Sequence, residues 1–161
     1  MKTDNMKKVL IALDYGPTAQ IVAETGFLLA KTMGAEVILM HVITDPIFYT
    51  SLEHVTVMGF AGNINISPLQ LNTADGLKEA SQHFLDKSKQ HLGDDTIQTL
   101  VKEGDFADSI LKTAKDLLVD VIVMGSHSHR WLDEILIGSV TERVLHHTSI
   151  PLFIIPTKHK K

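Results

Sequence analysis

The chain predicts an α/β fold, an open five-stranded parallel sheet with helices on both faces, formed by a single domain that takes in all 161 residues. Three observations lead there. Short apolar runs of strand length alternate with stretches of helical periodicity along the whole sequence. The strand-like runs are almost unbroken in Val, Ile and Leu, as they must be where a sheet is covered on both sides. Right-handed crossovers between such runs return each helix to one face of the sheet, which makes the strands parallel.

The elements follow in order. Val9-Leu10-Ile11-Ala12-Leu13 is a buried strand closed by Asp14, and Pro17 suits the first turn of the helix after it. Ile21, Thr25, Leu28, Leu29 and Met33 recur at helical spacing and are expected to face the sheet, with Gly34 where that helix stops. Residues 36–42 read as the second strand. A connector over 43–76 follows, rich in Thr, Asn, Gly and Pro and carrying Phe48, Tyr49 and Phe60; its length marks a lid, an interface segment or an unstructured loop. Leu77, Ala80, Phe84, Leu85, Ser88 and Leu92 form the inner face of a second helix, and 96–102 alternates as a third strand. Asp105, three residues before Asp108, has the character of an N-cap for a helix with Ile110, Leu111, Ala114, Leu117 and Leu118 inside. Residues 121–124 are the fourth strand, 140–147 a last helix and Pro151-Leu152-Phe153-Ile154-Ile155 the fifth strand. Residues 157–161 form a flexible tail whose basic end is solvated.

Composition removes several functions. An apolar share of 44% with 21% charged residues belongs to a folded soluble chain, and a net charge of -4 with scattered Lys and Arg gives neither nucleic acid nor a membrane surface a basic patch. There is no cysteine, so disulfides, thiolate metal sites and cysteine nucleophiles are excluded. No apolar run spans a bilayer. The first residues lack the apolar region of a signal peptide, so 1–6 are expected to be a flexible leader and the location cytoplasmic.

Function concentrates in one stretch. Val121-Ile122-Val123-Met124-Gly125-Ser126-His127-Ser128 reads as a strand opening into a turn, and nine residues further on Gly138-Ser139-Val140-Thr141-Glu142 forms a second turn that starts a helix. Gly125 and Gly138 let a bound group approach main-chain amides. The free N–H groups and positive dipole of the helix suit an anion such as phosphate. In an open parallel sheet, ligands sit beyond the carboxyl ends of strands where the strand order reverses, so Asp14, Val42 and Gly125 converge if the first and fourth strands are neighbours.

These residues resemble the universal stress protein family over nearly the whole chain, from Lys8 to Pro156. The family's glycine pattern, entered from a Val-Met-Gly strand, stands as Gly125-Ser126-His127-Ser128 and then Gly138-Ser139; Val9-Leu10-Ile11-Ala12-Leu13-Asp14, His41-Val42, Val140-Thr141-Glu142-Arg143-Val144-Leu145 and Ile150-Pro151-Leu152 also match. The resemblance implies a Rossmann-like three-layer sandwich of the adenine nucleotide alpha hydrolase-like kind that binds ATP, or AMP or ADP, with or without Mg2+. By matched position, Asp14 reaches the ribose, the main chain of Val42 faces the adenine edge, and Gly125 lines the ribose and phosphate path. Ser128, Gly138, Ser139, Val140 and Thr141 lie with the phosphates. It further implies a homodimer joined through Pro151, Leu152, Phe153, Ile154 and Ile155, working in stress response by binding rather than turnover, with the 43–76 connector ordered by nucleotide.

One position departs from the pattern. Ser128 replaces the second glycine; a left-handed backbone there would cost a non-glycine residue roughly 1 to 2 kcal/mol, whereas its hydroxyl can donate to a phosphate oxygen. A dimeric interaction module without nucleotide is therefore the alternative reading, and a slow ATP hydrolase a third. Other signals have plain explanations. Ser139 with Glu142 is also a capping box, and Asp14 can simply end a strand and cap a helix. His127, His129, His146 and His147 lack metal-ligand spacing, and Arg130 and Trp131 between the turns suit an exposed arginine and a short packed helix. No catalytic residues are assigned, because no nucleophile is paired with a base. No second acid stands with Asp14 to hold a metal, and neither the P-loop nor the dinucleotide glycine pattern occurs.

Overall fold

The five apolar runs become five parallel strands in the order β3-β2-β1-β4-β5. The computed structural model describes residues 7–14, 18–43, 74–126 and 139–157. Along the chain these are β1 (Lys8–Ala12), α1 (Ala19–Met33), β2 (Glu36–Ile43), α2 (Ala74–Leu92), β3 (Gln98–Glu103), α3 (Phe106–Asp116), β4 (Val121–Gly125), α4 (Ser139–His147) and β5 (Leu152–Ile155). β2 thus runs through Ile43 and α2 begins at Ala74, taking both ends of the expected 43–76 connector into regular structure.

Alternate residues of the strands divide the core in two, as the pleat requires. Val9, Ile11, Leu13, Val37, Leu39 and Val123 point toward α1 and α2, where they meet Val22, Ala23, Phe84 and Leu85. Leu10, Ile38, Met40, Val42, Ile122 and Met124 point the other way, toward Ala107, Ile110 and Ala114 of α3 and Val144 of α4. The result is a three-layer sandwich with β1 at its centre, its middle residues Val9, Leu10 and Ile11 buried. The two edge strands differ: β3 carries exposed Gln98, Lys102 and Glu103, whereas β5 exposes Phe153.

Two expected helical stripes hold only in part. On α1 the sheet-facing residues are Ala19, Val22, Ala23, Gly26 and Ala30, while Ile21 is 50% and Leu28 65% exposed. The reason is close approach. A Cβ at Gly26 would lie 2.9 Å from Ile11 Cδ1 and 3.0 Å from Val123 Cγ1, so the closest approach of this helix to the sheet is made through small residues, while Leu29 and Met33 of the expected stripe pack partly buried beside them and Ile21 and Leu28 are turned outward. On α3 Ile110 and Ala114 are buried as expected, joined by Ala107 and Thr113, and Leu111 and Leu117 pack partly buried against them. Leu118 lies beyond the helix with φ 54° and is 80% exposed, because the chain has already turned toward β4. The inner face of α2 is as expected, with Leu77, Ala80, Phe84, Leu85 and Ser88 buried. Asp105 does cap α3, its carboxylate accepting from Asp108 N at 3.0 Å.

Candidate functional site

Strand order places the site. From β1 the chain moves outward through β2 to β3, then crosses back to lay β4 along the opposite side of β1. In open α/β sheets this reversal of strand order, here between β1 and β4, is where ligands bind, beyond the carboxyl ends of the strands. β1 and β4 are paired from Val9↔Val121 to Ile11↔Val123, so Asp14 and Ser126 each follow the last registered pair by three residues. On the other side Ala12 pairs with Met40 and Leu13 N donates to Met40 O at 2.8 Å, which carries Asp14 to the level of Val42.

The end of β1 has a second fastening. His41 is buried in β2, and its Nδ1 lies 2.8 Å from Leu13 O; with a carbonyl as partner, that nitrogen must carry the proton. The ring also meets Phe84 edge-on, with centroids 6.0 Å apart. Burial lowers the imidazole pKa to about 4 against the carbonyl's opposing pull, so the ring is neutral at physiological pH. It is an orienting group for the Leu13–Asp14 peptide, and its signal in the sequence was only a lone histidine in an apolar strand.

The end of β4 is fastened from two directions. Thr141, in the first turn of α4, donates its hydroxyl to Gly125 O at 2.9 Å. This bond sets the amino end of α4 beside the carboxyl end of β4. It also commits the Thr141 hydroxyl proton to protein, which leaves the main-chain N–H as the donor that residue can offer a ligand. From β5, Ile155 O accepts from Ser126 N at 2.8 Å, and Thr157 reaches Ser126 Oγ with both its amide at 3.0 Å and its hydroxyl at 3.2 Å. Thr157, expected in a solvated tail, is instead only 7% exposed. Ser126 and Thr157 escaped the sequence reading because two hydroxyls 31 residues apart leave no periodic trace.

Asp14, Val42, Gly125 and the first turn of α4, with Ser139, Val140 and Thr141, thus stand at one end of the sheet. Ser139 is exposed and Val140 half-buried against the α3 and α4 side of the core. Ser128 and Gly138 lie outside the described residues, as do His127, His129, Arg130 and Trp131. One turn into α4, Arg143 binds Asp105 at 3.0 and 3.1 Å and Asp108 at 3.3 Å. The Asp108 amide first, and Arg143 with it, hold the Asp105 carboxyl below its ordinary range. That arginine is engaged with α3. Among the described residues no group of three or more His, Asp or Glu could hold a metal.

Such an arrangement defines a class: a doubly wound α/β protein in which, at the reversal between β1 and β4, an aspartate and the amino end of a helix stand at the carboxyl end of the sheet. Within that class the chain belongs to the universal stress protein family, which it matches over residues 5–156. It is 30% identical over 156 residues to universal stress protein MJ0577 of Methanocaldococcus jannaschii, covering 95% of this chain and 96% of that protein. The solved structure of MJ0577 superposes with a TM-score of 0.71 over 96% of this chain and 98% of the other. Two more distant structures share the fold: a universal stress protein in complex with cAMP, 15% identical with a TM-score of 0.63 over 95% and 98% of the two chains, and one from Archaeoglobus fulgidus in complex with dAMP, 16% identical with a TM-score of 0.57 over 93% and 97%. Among the described residues no helix is long and apolar enough to cross a membrane.

Proposed function

We propose that this universal stress protein is a cytoplasmic, homodimeric adenine-nucleotide binder whose activity is binding rather than turnover. The observation that carries the proposal is the reversal of strand order between β1 and β4, which gathers Asp14, the end of β2 at Val42, Gly125 and the first turn of α4 at one crevice. Asp14 suits ribose hydroxyls, which a carboxylate accepts from well. The main chain at Val42 suits the adenine edge. The amides of Ser139, Val140 and Thr141, with Gly125, Ser128 and Gly138, suit the phosphates, and ATP would bring its Mg2+ on its own oxygens. The cAMP and dAMP complexes of the two fold relatives support an adenosine ligand, and the absence of a nucleophile–base pair in the sequence supports binding over chemistry.

Thermal unfolding with and without millimolar ATP and magnesium tests this. At about a hundred times its dissociation constant a ligand adds roughly 2.7 kcal/mol of stability, which for a domain of this size raises the midpoint by several degrees. An unchanged midpoint would favour the second reading, a dimeric interaction module of the same fold, for which Ser128 at the second glycine position is the motive.

A further inference from the structure

On the α1 and α2 side of the sheet β2 presents Val37, Leu39 and then His41, which breaks an apolar row at its last inward position. A leucine would fill the place, and an imidazole taken out of water is a cost unless its hydrogen bond has a use. Its use is at the end of β1. The registered pairing of β1 with β2 stops at Ala12↔Met40, and beyond it Leu13 N donates to Met40 O and Leu13 O accepts from His41 Nδ1, each at 2.8 Å. Both main-chain groups of the residue before Asp14 are thus held from β2. Because the Leu13 carbonyl and the Asp14 amide share one rigid plane, holding Leu13 O also sets the direction in which Asp14 leaves the strand. Phe84 of α2, edge-on to the imidazole with centroids 6.0 Å apart, restricts the ring that does this.

We propose that His41 is a positioning residue for ribose recognition, holding the Leu13–Asp14 peptide so that the Asp14 carboxylate meets the vicinal hydroxyls of the sugar; this rests on the nucleotide-binding reading above, and within it on the role of Asp14. A carboxylate that accepts from two neighbouring hydroxyls must be aimed at both, and such bonds weaken steeply with angle. A backbone free to tilt at Leu13 loses that aim. The ring is suited to the task because burial keeps it uncharged, so it fixes the peptide without competing as a cation for the carboxylate. Gly125 and the start of α4, assigned to the phosphates, lie on the other side of β1 from β2. Val42, assigned to the base, is held independently of His41's ring, since β2 stays paired with β3 through Ile43↔Glu103. The consequence is specific: loosening His41 weakens the affinity that the ribose hydroxyls add and spares what base and phosphates add.

The test is calorimetric titration of the full chain with ATP plus magnesium and, separately, with 2′,3′-dideoxy-ATP plus magnesium, which lacks the hydroxyls. His41→Leu, apolar and of similar size, is expected to weaken ATP about fivefold, the worth of one neutral hydrogen bond, with dideoxy-ATP unchanged. His41→Asn, whose amide nitrogen takes the place of Nδ1, restores the preference for ATP. Adding His41→Leu to Asp14→Ala causes no further loss of ATP affinity, because the two act through one contact with the sugar. An equal loss for both nucleotides would mean a general loosening and overturns the proposal, as does a His41→Leu protein with wild-type affinity for both. Should His41→Leu fold too poorly to titrate, His41→Val, a better strand former, carries the same expectation and the same overturning results. Wild-type protein that binds no ATP removes the nucleotide reading itself, and one that binds ATP and dideoxy-ATP equally removes the role of Asp14; either takes this proposal with it. Wild-type preference for ATP that the His41 variants leave unmoved removes the proposal alone.

Discussion

Among the described residues His41 is the one ionisable side chain that the core buries. Its ring is neutral in the native protein because burial lowers its pKa to about 4, while in the unfolded chain an ordinary histidine titrates near 6.5. The sign follows from which state takes up protons first. Below about pH 6.5 the unfolded chain gains a proton that the native state refuses, so the stability His41 contributes is complete above that pH and is lost as pH falls toward 4. The limiting loss, about 2.5 pK units, is roughly 3 kcal/mol. Urea unfolding measured at steps from pH 7 to pH 4 should therefore show falling stability, and His41→Gln, which keeps a donor toward Leu13 O but cannot titrate, should flatten that slope. A variant with the wild-type slope would show that other groups carry it. The sequence marked His41 only as part of a strand ending; its tie to Leu13 depends on a register between β1 and β2 that no local pattern states.

For the elements, capping was legible and the buried faces only partly. Asp105 could be read as the cap of α3 because an aspartate before an apolar stripe has a local cause, the unpaired amides of a first helical turn. Asp105→Ala should cost about 1 kcal/mol of unfolding free energy, most of it from the lost bond to Asp108 N. The exposed contact to Arg143 adds little, as solvent-screened pairs do. A chemical denaturation in which Asp105→Ala and Arg143→Ala cost the same would contradict that division. The α1 stripe misled because hydrophobicity favours the larger residues: Ile21 and Leu28 have the right spacing, but the helix approaches Ile11 and Val123 so closely that Gly26 and its alanine neighbours occupy the interface. The distance between helix and sheet is a tertiary quantity, and periodicity does not contain it. Leu118 was misplaced for a related reason, since α3 ends at Asp116 and the next residues spend themselves on the turn.

In the whole molecule, alternation of elements was enough to give the parallel sheet, and the β1–β4 neighbourhood on which the crevice depends was foreseen as a condition that the strand order now meets. Asp14, Val42 and Gly125 of the proposed site could be located in this way, because strand ends are easy to find. The Ser126–Thr157 contact could not, since it joins a turn to a residue beyond the last strand. The proposed dimer makes a test at the same scale. Phe153, 40% exposed on the edge strand β5, would be covered by its twin. In sedimentation velocity, Phe153→Lys should shift the protein from dimer to monomer with little change in the monomer's own unfolding; a lysine variant that still sediments as a dimer would place the interface elsewhere.

The unequal rims of the sheet have an outcome for stoichiometry. A slab with two adhesive sides would add copy after copy, like tiles in a row, and precipitate as fibre. Here the far rim, with Gln98, Lys102 and Glu103 toward water, offers an incoming apolar strand a charged, hydrated surface. In the proposed dimer, joining at β5 alone would use up the sticky rim of both copies at once, so assembly would halt at two, with each proposed nucleotide site at a strand end, clear of the seam.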